Sequence, residues 1–204
     1  MPLPERKMPD ALEHEQLYKA KAGAPALVQV PPARFLAVDG NGSPDDEAFQ
    51  DAVAALYAIA YTAKFALKKA GGETVKVPPL EGLYTDFEAS SFEEGRRRLV
   101  WTLMLRLPKP LDEALVERAR AEAGVRRPNA ALGRVRTMQL AEGACAQVLH
   151  VGPYSTEPAT LASLREFIRS QRLEPRGRHH EIYLGDPRRS KPERLKTILR
   201  QPVG

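Results

Sequence analysis

The sequence predicts an α+β fold made of two β-α-β-β units, and three observations carry that prediction. Apolar residues alternate with period two in several short segments, as in a strand with one face turned inward. Two longer segments switch to the 3-4 spacing of an amphipathic helix. The same order of parts also occurs twice. Strand 34–38, a Gly-rich turn and helix 47–69 lead to strands 74–77 and 97–107; strand 145–151, a Gly-Pro turn and helix 158–172 lead to strand 179–184. Self-similarity at that scale points to a fused duplication. Side by side, two such units give a curved antiparallel sheet with helices on one face and a ligand cleft between the repeats. The expected organisation is an extended lead-in over residues 1–32 and a single domain over 33–204. Repeat one covers about 33–108 and repeat two about 134–204, joined by a short helix at 112–123.

Each element has a local reason. The lead-in is proline-rich, with one helical turn expected around Leu12 to Lys21. Arg34 to Val38 alternates as a strand, and Asp39-Gly40-Asn41-Gly42 supplies turn chemistry. Ser43 or Asp45 can cap the first long helix, where Phe49, Val53, Leu56, Ala60, Ala63 and Leu67 form one stripe. Tyr57, Tyr61 and Phe65 form a second stripe at i, i+4, i+8, so this helix should be covered on several sides. Thr74 to Val77 reads as a short strand broken by Pro78-Pro79, with Leu80 to Tyr84 continuing it. In RRLVWTLMLRL both alternating sets are apolar: Leu99, Trp101, Leu103 and Leu105 on one face, Val100 and Met104 with Thr102 on the other. Both faces should therefore be buried. Asp112 to Glu122 is a helix with acidic residues at its start and Gly124 near its end. Strands Val135 to Gln139 and Cys145 to Val151 follow, then an amphipathic helix from Pro158 to Arg172 with Leu161, Leu164 and Ile168 on its apolar side. Ser190-Lys191-Pro192-Glu193 has the form of a capping box and predicts a last helix through Leu195 to Leu199.

Bulk composition narrows the function classes. The 204 residues carry 43% hydrophobic and 28% charged side chains, as in an ordinary globular protein. One cysteine, Cys145, excludes a disulfide framework and suits a reducing compartment. With no long apolar run and no signal-peptide core in MPLPERKMPD, a cytoplasmic protein with no membrane contact is expected. The formal charge of +5 is spread over Arg96-Arg97-Arg98, Arg126-Arg127, Arg188-Arg189 and Lys191. None of these clusters interleaves with aromatics as a nucleic-acid platform does, so no direct nucleic-acid binding is expected.

The segment richest in chemistry is His179-His180-Glu181-Ile182-Tyr183-Leu184-Gly185-Asp186-Pro187. Alternation puts Glu181 and Tyr183 on one strand face and Ile182 and Leu184 on the other. The residues alone leave two readings open: a solvated carboxylate paired with an arginine, or the floor of a pocket. A metal is not expected, because only His179 and Glu181 share a face and His14 and His150 lack motif spacing. Cys145 alternates with Gln147 and Leu149 as a structural strand residue, and Tyr154 after Gly152-Pro153 reads as a turn residue. Asp39-Gly40-Asn41-Gly42 lacks the Lys-Ser/Thr of a phosphate loop.

The stretches VPPARFLAVDGNGSPDDEAFQDAVAALYAIAYTAKFALKK, PPLEGLY, LVWTLMLRLP, HVGPYSTEPATLASLREFI and HHEIYLGDPRRSKPERLKTILRQPV share an order and length with a known family. Over roughly residues 25 to 203 the chain resembles the GyrI-like (gyrase-inhibitor-like) small-molecule-binding proteins of the stand-alone bacterial type, related to cyclopropanoid cyclopropyl hydrolases. The resemblance implies a duplicated, SOUL-like fold and an aromatic pocket with a buried glutamate. It also implies two kinds of activity: multidrug or lipophilic-cation binding by a non-catalytic sensor or sequestering protein, and hydrolytic detoxification of cyclopropane-bearing DNA alkylators. Carried over by position, the pocket glutamate is Glu181, with Tyr57 as its catalytic partner. Trp101, Tyr61, Tyr84, Tyr183, Phe65 and Leu103 are the implied substrate-binding residues. Tyr84-Thr85 stands where the family pattern has a tryptophan pair, which alters pocket shape. The expected partner is a lipophilic aromatic small molecule, with no cofactor and no metal, and the expected state is monomer or homodimer. A weaker third reading is a gyrase-interacting inhibitor.

Overall fold

Eight strands and three helices account for the regular structure in the described residues, 16–85, 99–126 and 128–204, of the computed structural model. The chain divides into two compact units, residues 33–140 and residues 1–32 with 141–204.

In the unit of residues 33–140, β2 (Ala33–Asn41) pairs with both β4 (Val100–Arg106) and β5 (Arg136–Leu140). β4 pairs in turn with β3 (Leu80–Tyr84), so the antiparallel order is β3-β4-β2-β5. Helix α1 (Glu47–Lys69) lies on β2 and β4, and α2 (Glu113–Arg126) packs on α1. The core side of α1 is Phe49, Ala52, Leu56, Ile59 and Ala63, with Ala55 and Ala60 beside them. Four alanines on that side hold the backbone close to the sheet. Val53 and Leu67, expected in the stripe, are only half-buried. Asp46, rather than Ser43 or Asp45, sits at the N-cap; its carboxylate accepts the Ser43 N–H at 2.7 Å. For α2 the cap is Asp112, whose Oδ1 accepts the Leu115 N–H at 2.7 Å.

Register fixes which face each β4 residue takes. Trp101, Leu103 and Leu105 pair with Gly40, Val38 and Leu36, on the side that meets Phe49 of α1. Met104 turns the other way, into a second apolar cluster with Phe35, Ala37, Leu83, Met138 and Leu140. Both faces of this strand are therefore buried from Trp101 to Leu105, while Val100 at its start, expected on the buried second face, is exposed. Thr74 to Val77 forms no strand; pairing with β4 begins at Leu80, beyond Pro78-Pro79. Proline has no N–H to give the ladder, so the strand starts after the pair instead of before it.

In the other unit, β6 (Gly143–Val151) pairs with β1 (Ala26–Val30) and β8 (Lys196–Pro202), and β8 pairs with β7 (His179–Tyr183). The order β7-β8-β6-β1 repeats β3-β4-β2-β5 strand for strand, and α3 (Glu157–Ser170) packs on β6 as α1 packs on β2. Two expectations are corrected here. The stretch expected as a lead-in supplies β1, beside a single 3-10 turn at Gln16–Tyr18. The helix expected through Leu195 to Leu199 is strand β8; the capping-box residues make only a 3-10 turn at Pro192–Arg194. With partners on both edges, Thr197-Ile198-Leu199 gains two ladders and two buried faces, which outweighs a weak local helix signal. Each leading strand also crosses over: β1 precedes β2 yet pairs with β6, and β5 precedes β6 yet pairs with β2. The second repeat, expected from about residue 134, thus begins in strand terms at β6.

Candidate functional site

Strand β7 carries the densest set of reactive side chains. His179, Glu181 and Tyr183 share one face, while His180 and Ile182 share the other. Register across β8 and β6 puts Glu181 in a row with Leu199 and Val148, and Tyr183 in a row with Thr197 and His150. His150 bonds Thr160 of α3, so this is the helix-covered face of the unit. Glu181 is buried, and its Oε2 accepts the Tyr183 hydroxyl at 2.7 Å. His179 is equally buried, with Nε2 3.7 Å from Glu181 Oε1. Burial is the main reason the His179 pKa falls to about 3; His180 and Arg165 push the same way, against a hydrogen bond with Gln201 and the charge of Glu142. The imidazole beside Glu181 is therefore neutral at physiological pH. Tyr183 meets Tyr154 edge to face, with ring centroids 6.1 Å apart. Of the two readings open from sequence, the solvated carboxylate is excluded by burial.

Opposite that face lies a buried ionic network. His180 Nδ1 donates to Glu142 Oε1 at 3.0 Å, and Arg200 Nη1 lies 3.7 Å from Glu142 Oε2. Arg200 also donates through Nε and Nη2 to Gln147 Oε1, at 3.0 and 2.8 Å, and through Nη2 to the Leu17 carbonyl at 2.8 Å. Burial pushes the Glu142 pKa up, but the charges and hydrogen bonds of His180 and Arg200 outweigh it and hold the pKa below its ordinary value. Burial, with help from Glu142, raises the Cys145 thiol to about 12. It is no nucleophile. This network ties β6, β8 and β7 together on that face.

The other expected residues belong to the unit of residues 33–140. Trp101 and Tyr84 are cross-strand partners, both buried, and each ring lies over a glycine. A Cβ at Gly40 would fall within 2.6 Å of three Trp101 ring carbons, and one at Gly82 about 3 Å from the Tyr84 ring. Trp101 also meets Phe49 edge to face at 5.2 Å, and its indole N–H has no hydrogen-bond partner among the described residues. Leu103 is fully buried on the same face. Tyr57, Tyr61 and Phe65, by contrast, stack along α1 at 6.0 and 6.2 Å between centroids, with Tyr61 45% and Phe65 60% exposed. Lys64 Nζ lies 5.8 Å from the Tyr61 ring centre. That stripe was expected to be covered; instead it is an aromatic ladder facing outward.

Sequence reasoning weighed His179 only as a metal ligand and read Tyr154 as a turn residue. The signal for His179 was present, since it shares the Glu181 face by alternation. Tyr154 gave none, because its contact with Tyr183 spans 29 residues of chain. Among the described residues no group of three or more His, Cys, Asp or Glu side chains is placed to hold a metal. No described helix is long and apolar enough to cross a membrane.

Residues 24–203 match the profile of the GyrI-like small molecule binding domain. A search of curated proteins finds no match. Among solved structures, an uncharacterized conserved protein from Listeria innocua is 39% identical, aligned over 94% of this chain and 97% of that one, with a TM-score of 0.86. A protein described as a hydrolase from Listeria innocua is also 39% identical, over 93% of this chain and 96% of that one, at TM-score 0.79. The EcmrR C-terminal domain shares the fold at 12% identity, over 89% of this chain and 97% of that one, at TM-score 0.55.

Proposed function

The chain belongs to the GyrI-like small-molecule binding domain family, and from that premise we propose that it hydrolyses lipophilic, planar electrophiles, cyclopropane-bearing DNA alkylators in particular. The observation that carries the reading is the buried Glu181 carboxylate with a phenol hydroxyl on one oxygen and a neutral imidazole beside the other. A carboxylate desolvated in this way is costly unless the ligand or the reaction uses it. The likeness to a protein described as a hydrolase, nearly end to end, supports turnover over simple binding.

In the proposed reaction Glu181 takes a proton from water as the water oxygen attacks a cyclopropyl methylene. The new C–O bond forms as the strained C–C bond breaks. The released electron pair moves through the conjugated ring to its oxygen, which takes a proton from solvent, while the proton taken up by Glu181 returns to solvent. Water is added across one bond with no change of oxidation state, so the step requires no redox partner. Tyr183 holds the carboxylate in orientation, and the His179 imidazole beside it is neutral.

The test is turnover of a cyclopropane-bearing alkylator by the wild type and Glu181→Gln. A loss of about 10²-fold or more in kcat for Glu181→Gln is expected of a general base. Equal rates for wild type and Glu181→Gln remove Glu181 from catalysis. Binding without turnover in the wild type, weakened for cations by Glu181→Gln, would establish the sensor or sequestering function instead.

A further inference from the structure

The conspicuous motif His150-Val151-Gly152-Pro153-Tyr154-Ser155-Thr156 takes no part in the reaction above, yet it is more tightly built than a connecting turn needs to be. His150, buried at the end of β6, uses both ring nitrogens. Nε2 lies 3.2 Å from the Pro153 carbonyl, an acceptor only, so that nitrogen carries the proton. Nδ1 is then the acceptor for the Thr160 hydroxyl of α3 at 2.8 Å. Thr156 donates to the same Pro153 carbonyl at 2.8 Å. Gly152 has φ +136°, a conformation costly for any other residue, and a Cβ there would stand 3.2 Å from Thr156 Oγ1. The turn is thus pinned from strand, helix and its own hydroxyl. What it presents is Tyr154, whose ring meets Tyr183, whose hydroxyl meets Glu181.

We propose that Tyr154 is a positioning residue for the site carboxylate: held by the His150-centred turn, its ring fixes Tyr183 in the rotamer that donates to Glu181. The physical basis is that a tyrosine ring on a strand turns freely about its first side-chain torsion unless packing chooses one well. An edge-to-face neighbour supplies that choice through ring quadrupoles. His150 acts one step further back, as the clamp on the turn. The idea rests on Glu181 being the site's carboxylate, but not on which reaction it serves.

The experiment therefore reads the carboxylate directly. Glutamate labelled with ¹³C at the side-chain carboxyl is introduced into the whole chain, the Glu181 resonance is assigned by its loss in Glu181→Gln, and it is titrated by NMR. Beside this carboxylate on the same unit stand Tyr183 and His179 of β7, with the charge of Arg165 of α3 acting on His179, and none of these is altered in the Tyr154 variants. Losing a hydrogen bond to an ionised group should raise the midpoint by about one pH unit or more. Tyr183→Phe sets the full effect. Tyr154→Leu should raise the midpoint nearly as far, Tyr154→Phe should leave it at the wild-type value, and Tyr154→Leu on top of Tyr183→Phe should add nothing. His150→Phe should move it in the same direction as Tyr154→Leu. If Tyr154→Leu stays folded and titrates as wild type while Tyr183→Phe shifts, the proposal is overturned. A shift in Tyr154→Phe equal to that in Tyr154→Leu would overturn it too, since the hydroxyl and not the ring would then be responsible. Turnover measured in parallel separates the two ideas: an inactive wild type refutes the proposed reaction and leaves the carboxyl titration to decide the role of Tyr154.

Discussion

Gly40→Ala is the sharpest test of how the unit of residues 33–140 is packed. Gly40 is not strained, so backbone conformation is no reason for a glycine here; the reason is space. A methyl carbon would lie within 2.6 Å of Cη2, Cζ2 and Cζ3 of Trp101. Carbon atoms rest about 3.5–4.0 Å apart, so the indole must retreat by about 1 Å. It has nowhere to go: Trp101 is fully buried, its ring already meets Phe49, and Leu103 and Val38 fill the next row of the sheet. Overpacking of this kind costs about 1–3 kcal/mol, and alanine recovers only about 0.5–1 kcal/mol of strand preference over glycine. A net loss of roughly 1–2 kcal/mol should shift a urea midpoint down by about 0.5–1 M. The assay is direct, because Trp101 is the only tryptophan in the sequence and its emission reports this one site. The variant should unfold earlier and its native emission should change. In a Trp101→Leu background, followed by circular dichroism, the same substitution should cost little. A stability loss below about 0.5 kcal/mol with unchanged emission would refute the packing argument.

Four more outcomes follow from the charges and surfaces. Acid should destabilise the protein in two stages. His179, lowered from 6.5 to about 3, binds its proton more readily when unfolded, so stability declines as pH drops from about 6.5 toward 3; His179→Gln should flatten that decline in denaturation midpoints measured against pH. Glu142, held below its ordinary value of 4.5, contributes stability that is complete above that value and is lost as pH falls through the lowered one. Removing its charge with Glu142→Gln strands Arg200 and His180 and should cost about 3–5 kcal/mol at pH 7 by chemical denaturation. Cys145, raised to about 12 and buried, should resist a thiol reagent at pH 8 in the native protein and react only in denaturant; fast native labelling would contradict its placement. Tyr61→Ser and Phe65→Ser should each change stability by less than about 0.5 kcal/mol, because both rings are exposed; weaker binding of a lipophilic ligand without that stability loss would give the ladder a binding role, and unaltered binding would exclude it.

The fold was legible wherever periodicity was long. Helix α1, the doubly apolar strand β4 and the strand-helix-strand order common to both repeats show in the spacing of apolar residues. The failures share a cause. Thr197-Ile198-Leu199 follows a capping box, and only the edges offered by β6 and β7 turn it into strand β8. Ala26–Val30 is short and flanked by prolines, and it earns its strand by pairing with β6, more than a hundred residues away. Of the candidate site, Glu181 and Tyr183 were visible from alternation alone, and their shared face is a consequence of strand geometry.

The amino-acid sequence by itself determined the α+β class, the duplicated order of strands and helix, and the pairing of a carboxylate with a phenol two residues on. These follow from local periodicity, which any segment carries with it. Only the tertiary structure decided that Glu181 is buried, that His179 beside it is neutral, that Trp101 is packed on Gly40 and that the Tyr57–Phe65 ladder faces outward. Burial and ionisation depend on what arrives from elsewhere in the chain, and contacts such as Tyr154 with Tyr183 are set by register and packing, not by spacing.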